Sequence, residues 1–201
     1  MKINEIATWF YANNEKVRND KTDALINILC LFAKATYLHL GKEDLGPLKI
    51  QIFDNSNVKI DMGITKALEY NLTKEEEHIL NTINRYCGYN DILELLNVLT
   101  DYEFFTSNLD KLQKGEEVTI DNDLLTNSLN LLIKDMLKTY ENYDFDKEEV
   151  IILGDTVFFT EKGTNLTEEE KKSLTNYRYM NEPDQRLFDL SRHENGKLVI
   201  W

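Results

Sequence analysis

One stretch of the sequence, residues 23–40, is apolar on nearly every face of the helix that it would form. Its apolar side chains leave no continuous polar side, and they are Leu25, Ile26, Ile28, Leu29, Leu31, Phe32 and Leu38. A helix that is apolar all round is buried at the centre of a protein or spans a membrane. The most apolar part is too short for a membrane span, and Asn27 and Lys34 interrupt it. We therefore predict a globular fold built around this helix.

Helices also dominate the rest of the first part of the chain. Thr73 and Glu76 have the spacing of a capping box, in which each side chain bonds the other residue's backbone amide. Apolar periodicity predicts further helices over 3–13, 74–86, 90–100 and 121–141. The inward stripe of the last one is predicted to be Leu125, Leu129, Leu132, Met136 and Tyr140. Residues 17–23 are polar and predict a loop, and 48–60 predict a strand, a turn and a second extended piece.

The last quarter of the chain has a different character. Gly154-Asp155 and Asn195-Gly196 each lie between two apolar runs, which is the signature of a β-hairpin. Thr167 and Glu170 form a second capping box, and it predicts a helix to about residue 175. We therefore predict an α+β fold that is mainly α-helical. Its parts are a helical domain over 1–141 and an α/β extension over 142–201, packed on that domain.

The charge of the chain restricts its partners. The formal net charge is −13, and residues 101–201, with 22 acidic and 12 basic side chains, hold −10 of it. Phosphate backbones and anionic membranes are disfavoured as direct partners, whereas a protein with a basic surface is favoured. The acidic second half is either a solvated surface that aids solubility or a contact face, and a contact face of this kind could mimic nucleic acid.

The sequence offers no set of residues that catalyses a reaction or binds a metal or cofactor. Cys30 and Cys87 are isolated, and the three histidines are scattered, so neither a disulfide framework nor a zinc site is expected. Ser191 and His193 lie two residues apart, but the acidic group and oxyanion site of a hydrolase are not identified. No apolar signal segment follows the N-terminus. We expect a cytoplasmic protein that is not an enzyme.

The central helix carries a resemblance to a known family. Members of the Panacea domain family, the SocA-like antitoxins, have a helix written roughly as L-Q-K-L-L-Y-F-A-x-x-x-Y-L. Residues 26–38 align with it without a gap. Phe32, Ala33, Tyr37 and Leu38 are identical to that pattern. In its central helix the chain thus resembles a divergent member of this family.

Other segments follow the family's order and spacing over about residues 1–126: Ile3–Phe10, Ile52–Val58, Leu72–Gly88, Leu96–Phe105 and Val118–Asp121. The chain departs from the family in two places. The glycine and proline of an A-W-x-x-G-P-V motif are absent from 52–58, and Asp101 replaces the histidine of a Thr-His pair. The resemblance implies an antitoxin-like protein that neutralises a toxin by direct contact, and the founding SocA-type members of the family also present a toxin to a protease.

We therefore expect the protein to bind a protein partner, with a phage-encoded inhibitor of host defence, such as an anti-CRISPR protein, as the alternative. The residues predicted to contact the partner are Phe53, Asp101, Phe104, Phe105, Phe158, Phe159 and Trp201. Phe53 and Asp101 lie in the two segments that depart from the family's motifs, and Phe104 and Phe105 belong to an aromatic cluster at the end of the middle helices. Phe158, Phe159 and Trp201 come from the two predicted hairpins. Aromatic side chains dominate the energetics of many interfaces. The structural alternative is that the hairpins cover the helical core and that Trp201 is a packing residue.

Overall fold

A computed structural model describes residues 2–20, 22–53, 57–65, 69–182, 185–193 and 195–201. Helices hold 52% of the described residues and strands 18%, which confirms the predicted mixed and mainly helical α+β class. The chain divides into two compact units, Met1–Glu141 and Asn142–Trp201. Among the described residues, no helix combines the length and the apolar character that crossing a membrane requires.

The body of the first unit consists of the longer helices α1 (Lys2–Asn13), α3 (Ala24–His39), α4 (Lys74–Cys87), α5 (Ile92–Thr100) and α8 (Asn122–Thr139). Between them lie the short helices α2 (Glu15–Asn19), α6 (Glu103–Thr106) and α7 (Leu109–Leu112). The first capping box is present, because Thr73 Oγ1 accepts from the Glu76 amide at 3.2 Å and Glu76 Oε2 accepts from the Thr73 amide at 2.8 Å. The inward side of α8 differs from the prediction at Leu132 and at Tyr140, which is half-buried and follows the end of the helix. Ile133 is fully buried there, whereas Leu132 is half-buried.

Helix α3 is the structural centre of the first unit, as its all-round apolarity predicts. It packs against α1, α4, α5 and α8. Residues Leu25, Ile28, Leu29 and Leu31 have no exposed surface, and Phe32 is 3% exposed. These contacts on every side remove the apolar surface of one helix from water, which is the main stabilising term of such a core.

A buried lysine lies within α3. The Lys34 side chain is 1% exposed, and its ammonium donates to the Asp44 carboxylate and, at 2.6 Å, to the Gly46 carbonyl. Asp44 also accepts from the Asn122 side chain at 2.9 Å. Burial opposes ionisation of Asp44, but these hydrogen bonds outweigh it and hold the pKa of the carboxyl below its ordinary value. The ion pair thereby joins the end of α3 to the start of α8.

A three-stranded antiparallel sheet lies beside the helices. Its order is β2-β1-β3, with β1 at Leu48–Phe53, β2 at Asn57–Asp61 and β3 at Val118–Ile120. The strand and the second extended piece predicted over 48–60 are confirmed as β1 and β2, which pair antiparallel, whereas the turn between them lies outside the described residues. Strand β3 is a correction, because 118–120 were aligned only with the start of the last helix. The partner strand of β3 lies 68 to 72 residues earlier, with Leu48 opposite Ile120 and Ile50 opposite Val118, and local periodicity does not show such a pairing.

The predicted loop over 17–23 is wrong at its beginning, where α2 forms instead. Asn14 caps α2, because its Oδ1 accepts from the Val17 amide at 3.0 Å. The same buried side chain donates to Asn84 at 2.6 Å and to the Gly88 carbonyl at 3.0 Å. A Cβ at Gly88 would lie 2.6 Å from the Asn84 carbonyl oxygen and 2.8 Å from Asn14 Nδ2. This corner therefore requires a glycine at 88 and a capping asparagine at 14.

The second unit is a four-stranded sheet with two helices. After a 3₁₀ turn at Phe145–Lys147, its order is β4-β5-β6-β7, with β4 at Glu148–Leu153, β5 at Thr156–Glu161, β6 at Leu187–Arg192 and β7 at Leu198–Ile200. Both predicted hairpins are confirmed, because β4–β5 and β6–β7 pair antiparallel. Strands β5 and β6 pair in parallel across helices α9 (Glu168–Thr175) and α10 (Tyr177–Asn181), and this crossover was not predicted.

Helix α9 is held to the β6–β7 turn by a charged network. The second capping box is present at Thr167 and Glu170. The Arg192 guanidinium donates to both oxygens of Glu170, at 2.9 and 3.2 Å, and to the Gly196 carbonyl at 2.7 Å. Hydrogen bonds from Arg192 and then from the Thr167 amide lower the pKa of Glu170 to about 2. The carboxylate therefore stays charged at any ordinary pH and fixes the turn on the helix end.

Candidate functional site

The two faces of the second sheet have different roles. Because side chains alternate along a strand, Phe158 lies on the opposite face from Phe159. On the first face, Phe158, Phe188 and Leu190 form the core of the unit with Leu174 of α9, and the Phe158 and Phe188 rings stack with centroids 5.8 Å apart. The second face carries the candidate functional site.

A groove of about 380 Å³ crosses this second face near the start of β4 and the ends of β5 and β7. The described residues that line it all belong to the second unit: Tyr143, Asp144, Lys147, Glu148, Phe159, Thr160, Glu161, Asp189, Leu190, Ser191 and Trp201. Four of these side chains are carboxylates and one is an ammonium, which gives the lining a formal charge of −3. We call it the acidic groove.

Three strands place an aromatic–acid–aromatic row in the acidic groove. In the parallel pairing of β5 and β6, Phe159 is the partner of Asp189. On the other side of Asp189, the backbone amides and carbonyls of Asp189 and Trp201 bond each other at 2.9 and 3.3 Å. Paired residues on neighbouring strands point to the same face of a sheet. Asp189 therefore lies between Phe159 and Trp201 in the sheet, on the same face as both.

Trp201 presents its ring to solvent although its backbone is held. The residue is 73% exposed, whereas Phe159 at the floor of the groove is 2% exposed. Its indole Nε1 donates to Ser191 Oγ at 3.4 Å. A large aromatic ring that is fixed at its backbone and open on its face is a suitable contact for a partner.

The opposite wall of the groove precedes β4. The Tyr143 hydroxyl donates to Glu148 Oε2 at 2.5 Å, and the Tyr143 ring lies 4.8 Å from the Phe145 ring. Lys147 pairs with Asp144 at 2.9 Å, and its hydrogen bond holds the pKa of that carboxyl below its ordinary value. The one ammonium in the lining thus already has a carboxylate partner. The net negative charge of the lining favours binding of a positively charged group from a partner.

The residues predicted to bind a partner lie in different places. Phe104, Phe105 and Phe158 are buried, with at most 5% of each residue exposed, so the structure places them in a core and not on a surface. They fill the cores of the two units because hydrophobic aromatic clusters are more stable there than in water. Phe159 is also buried, but it forms the floor of the acidic groove.

The other three predicted residues are not in a core. Trp201 is exposed in the acidic groove. Asp101 is exposed at the end of α5, on the helical side that carries Leu93, which is 70% exposed. The backbone of Phe53 belongs to β1, and its side chain lies outside the described residues. The structure thus places Trp201 and Phe159 together, and Asp101 belongs to the other unit.

Sequence reasoning missed Tyr143, Glu148, Glu161 and Asp189 as groove residues. They come from three separate segments, so no spacing along the chain connects them. One signal was present in β6, where polar Asp189 and Ser191 alternate with apolar Phe188 and Leu190. This alternation indicates a face that is not part of the core.

Other reactive groups in the described residues do not form a site. No cluster of three or more His, Cys, Asp or Glu in the described ranges could hold a metal ion. Burial raises the pKa of the Cys30 and Cys87 thiols well above its ordinary value, so both stay protonated at neutral pH. Ser191 accepts a hydrogen bond from Trp201, and His193 is an exposed residue at the β6–β7 turn.

In comparisons with known proteins, no family model, no curated protein and no solved structure matches this chain.

Proposed function

We propose that the protein neutralises a protein partner, a toxin or another effector, by binding it directly through the acidic groove of the second unit. The observation that carries this proposal is the groove itself, with four carboxylates, one ammonium and the exposed ring of Trp201 in one concave surface. The partner has a basic surface. The protein is antitoxin-like and is not an enzyme.

The physical argument rests on the combination of charge and aromatic surface. Acidic and basic surfaces attract each other over several ångströms, which speeds association and selects partners of the right sign. Tryptophan is among the residues that contribute most to binding energy once a partner covers it. A net charge of −13 works against direct binding of nucleic acid and anionic lipid.

The antitoxin part of the proposal also rests on the resemblance of residues 1–126 to the Panacea domain. In this view the first unit supplies the scaffold, and the second unit, which lies outside that resemblance, supplies the specificity. The protein acts in the cytoplasm, where its two free and buried cysteines stay reduced.

The second candidate function is inhibition of a host defence nuclease, and the acidic groove favours it as well. A row of carboxylates can occupy the basic groove that a nuclease uses for phosphates. Such an inhibitor would be displaced by DNA or RNA, because both bind the same basic surface. An antitoxin would instead restore the growth of cells that express the captured partner.

The proposal is tested by capturing partners with the full chain and with a groove variant, Glu148→Gln/Glu161→Gln/Asp189→Asn. The matched control is Glu103→Gln/Asp110→Asn/Glu116→Gln, which makes the same charge change at exposed positions of the first unit. We expect the wild type and the control to capture one basic protein. The groove variant should bind that protein about tenfold more slowly at low salt, because electrostatic steering is lost.

The salt dependence of the on-rate separates steering from loss of fold. The wild-type rate should fall as salt rises, and the groove variant should show a much weaker fall. Circular dichroism should give the same spectrum for all three proteins. If the groove variant and the control bind the partner equally fast at every salt concentration, the groove is only a solvated surface and the proposal is wrong.

A further inference from the structure

The acidic groove contains a candidate binding site, which we call the arginine site, for one side chain of a partner protein. We infer that it takes an arginine side chain of the partner, with the guanidinium over the indole of Trp201 and paired with the carboxylate of Asp189. This inference rests on the proposed function and names the group that the groove recognises.

Trp201 is already oriented before a partner binds. Its backbone pairs with Asp189 through two hydrogen bonds, and its indole nitrogen bonds Ser191. The ring is nevertheless 73% exposed. A cation placed over an indole is attracted by the ring's negative face. Because the ring is held, little conformational freedom is lost when the cation arrives.

Asp189 supplies the charge at the correct place. It lies directly across from Trp201, and directly opposed residues in a sheet have Cβ atoms about 5 Å apart. One planar group can therefore contact the indole face and the carboxylate together. Glu161 adds a second carboxylate to the same lining, on the strand next to Asp189.

Arginine fits this arrangement better than lysine does. The guanidinium is flat, so it stacks on an aromatic ring while its N–H groups, which lie in the same plane, reach a carboxylate. An ammonium is compact and strongly hydrated, and it does not stack.

The test uses the full chain and three probe peptides, acetyl-Gly-Gly-Xaa-Gly-Gly-amide with arginine, lysine or citrulline at Xaa. Citrulline keeps the shape of arginine but lacks its charge. Tryptophan fluorescence reports on the groove, because Trp201 is exposed and the other tryptophan, Trp9, is 3% exposed. We expect the arginine peptide to bind about tenfold more tightly than the citrulline peptide, and more tightly than the lysine peptide.

Variants locate the probe, with binding measured by calorimetry. Asp189→Asn should weaken the arginine peptide about tenfold, and Trp201→Leu about fivefold. Tyr179→Leu, which changes another exposed aromatic of the same unit outside the groove, should leave its affinity unchanged. No binding of the arginine peptide at ~10 mM, equal binding of the arginine and citrulline peptides, or wild-type affinity in Trp201→Leu would overturn the inference.

The inference and the proposed function fail in different ways. Suppose that Trp201→Leu captures the protein partner as well as the wild type does, while the triple groove variant does not. The inferred arginine site is then wrong, whereas the proposed binding through the acidic groove is supported. If the arginine peptide binds as expected but the triple groove variant still captures the partner normally, the inferred arginine site is supported and the proposed function is wrong.

Discussion

Replacement of Phe32 by alanine is expected to lower the free energy of unfolding of the first unit by about 3–5 kcal/mol, which is typical of a buried phenylalanine. Phe32 lies in α3, is 3% exposed and is surrounded by the helices that pack on α3. Its removal deletes apolar contacts and leaves a cavity that the neighbouring helices fill only in part. Urea denaturation followed by circular dichroism measures the change.

The control for this variant is Leu131→Ala. Leu131 lies on α8 and is 80% exposed, so its truncation should change stability by less than about 0.5 kcal/mol. For a chain of this size, each kcal/mol corresponds to a shift in melting temperature of about 2–4 °C. A Phe32→Ala protein that melts within ~2 °C of the wild type would show that α3 is peripheral.

Asp44→Ala is expected to destabilise the protein far more than Lys34→Met does. Removing Asp44 leaves the Lys34 ammonium buried, with a hydrogen bond to the Gly46 carbonyl but without its carboxylate. Loss of one partner of a buried ion pair costs about 3–5 kcal/mol. Because the Asp44 side chain is 45% exposed, we expect a smaller cost of about 2–3 kcal/mol. Lys34→Met removes the buried charge itself, and Asp44 stays in contact with water, so its effect should lie within about 1 kcal/mol.

The pH dependence of this pair has a definite sign. The pKa of Asp44 is lower in the folded protein than in the unfolded chain, so the carboxylate stabilises the fold above its ordinary pKa. That contribution is lost as the pH falls through the lowered pKa. The difference in stability between the wild type and Asp44→Ala should therefore shrink in acid, and the same urea titrations measure it. An equal effect of Asp44→Ala and Lys34→Met at neutral pH would contradict the assigned roles.

The features that the sequence predicted well are those with local causes. An all-round apolar run predicts a buried helix, and α3 is that helix. The two capping boxes depend on residues three apart, and both are present. The hairpins at Gly154 and Asn195 depend on turn residues between adjacent strands, and both are confirmed.

The features that the sequence did not reveal depend on contacts between distant residues. Strand β3 has three residues, and it forms because it pairs with β1 far earlier in the chain. The parallel pairing of β5 with β6 likewise spans two helices. Helix α2 has five residues, and its cap, Asn14, is held by contacts with Asn84 and Gly88 of another helix.

The candidate site shows the same division. An aromatic residue in a sequence is compatible with a core and with an interface, and Phe104, Phe105 and Phe158 proved to be core residues. The acidic groove becomes visible only when the sheet brings Phe159, Asp189 and Trp201 side by side. The surplus of negative charge in the second half is visible in the sequence, but the gathering of four of its carboxylates in one groove is a property of the fold.

Hydrogen exchange of the full chain, with and without the captured partner, is the most direct test that the acidic groove is the contact site. We predict slower exchange in residues 143–148 and 189–201 when the partner is bound, because a covered surface excludes water and suppresses local opening. Residues at the exposed end of α5, near Asp101, should exchange at an unchanged rate. Protection of α5 with unchanged exchange in both groove segments would contradict the proposed site.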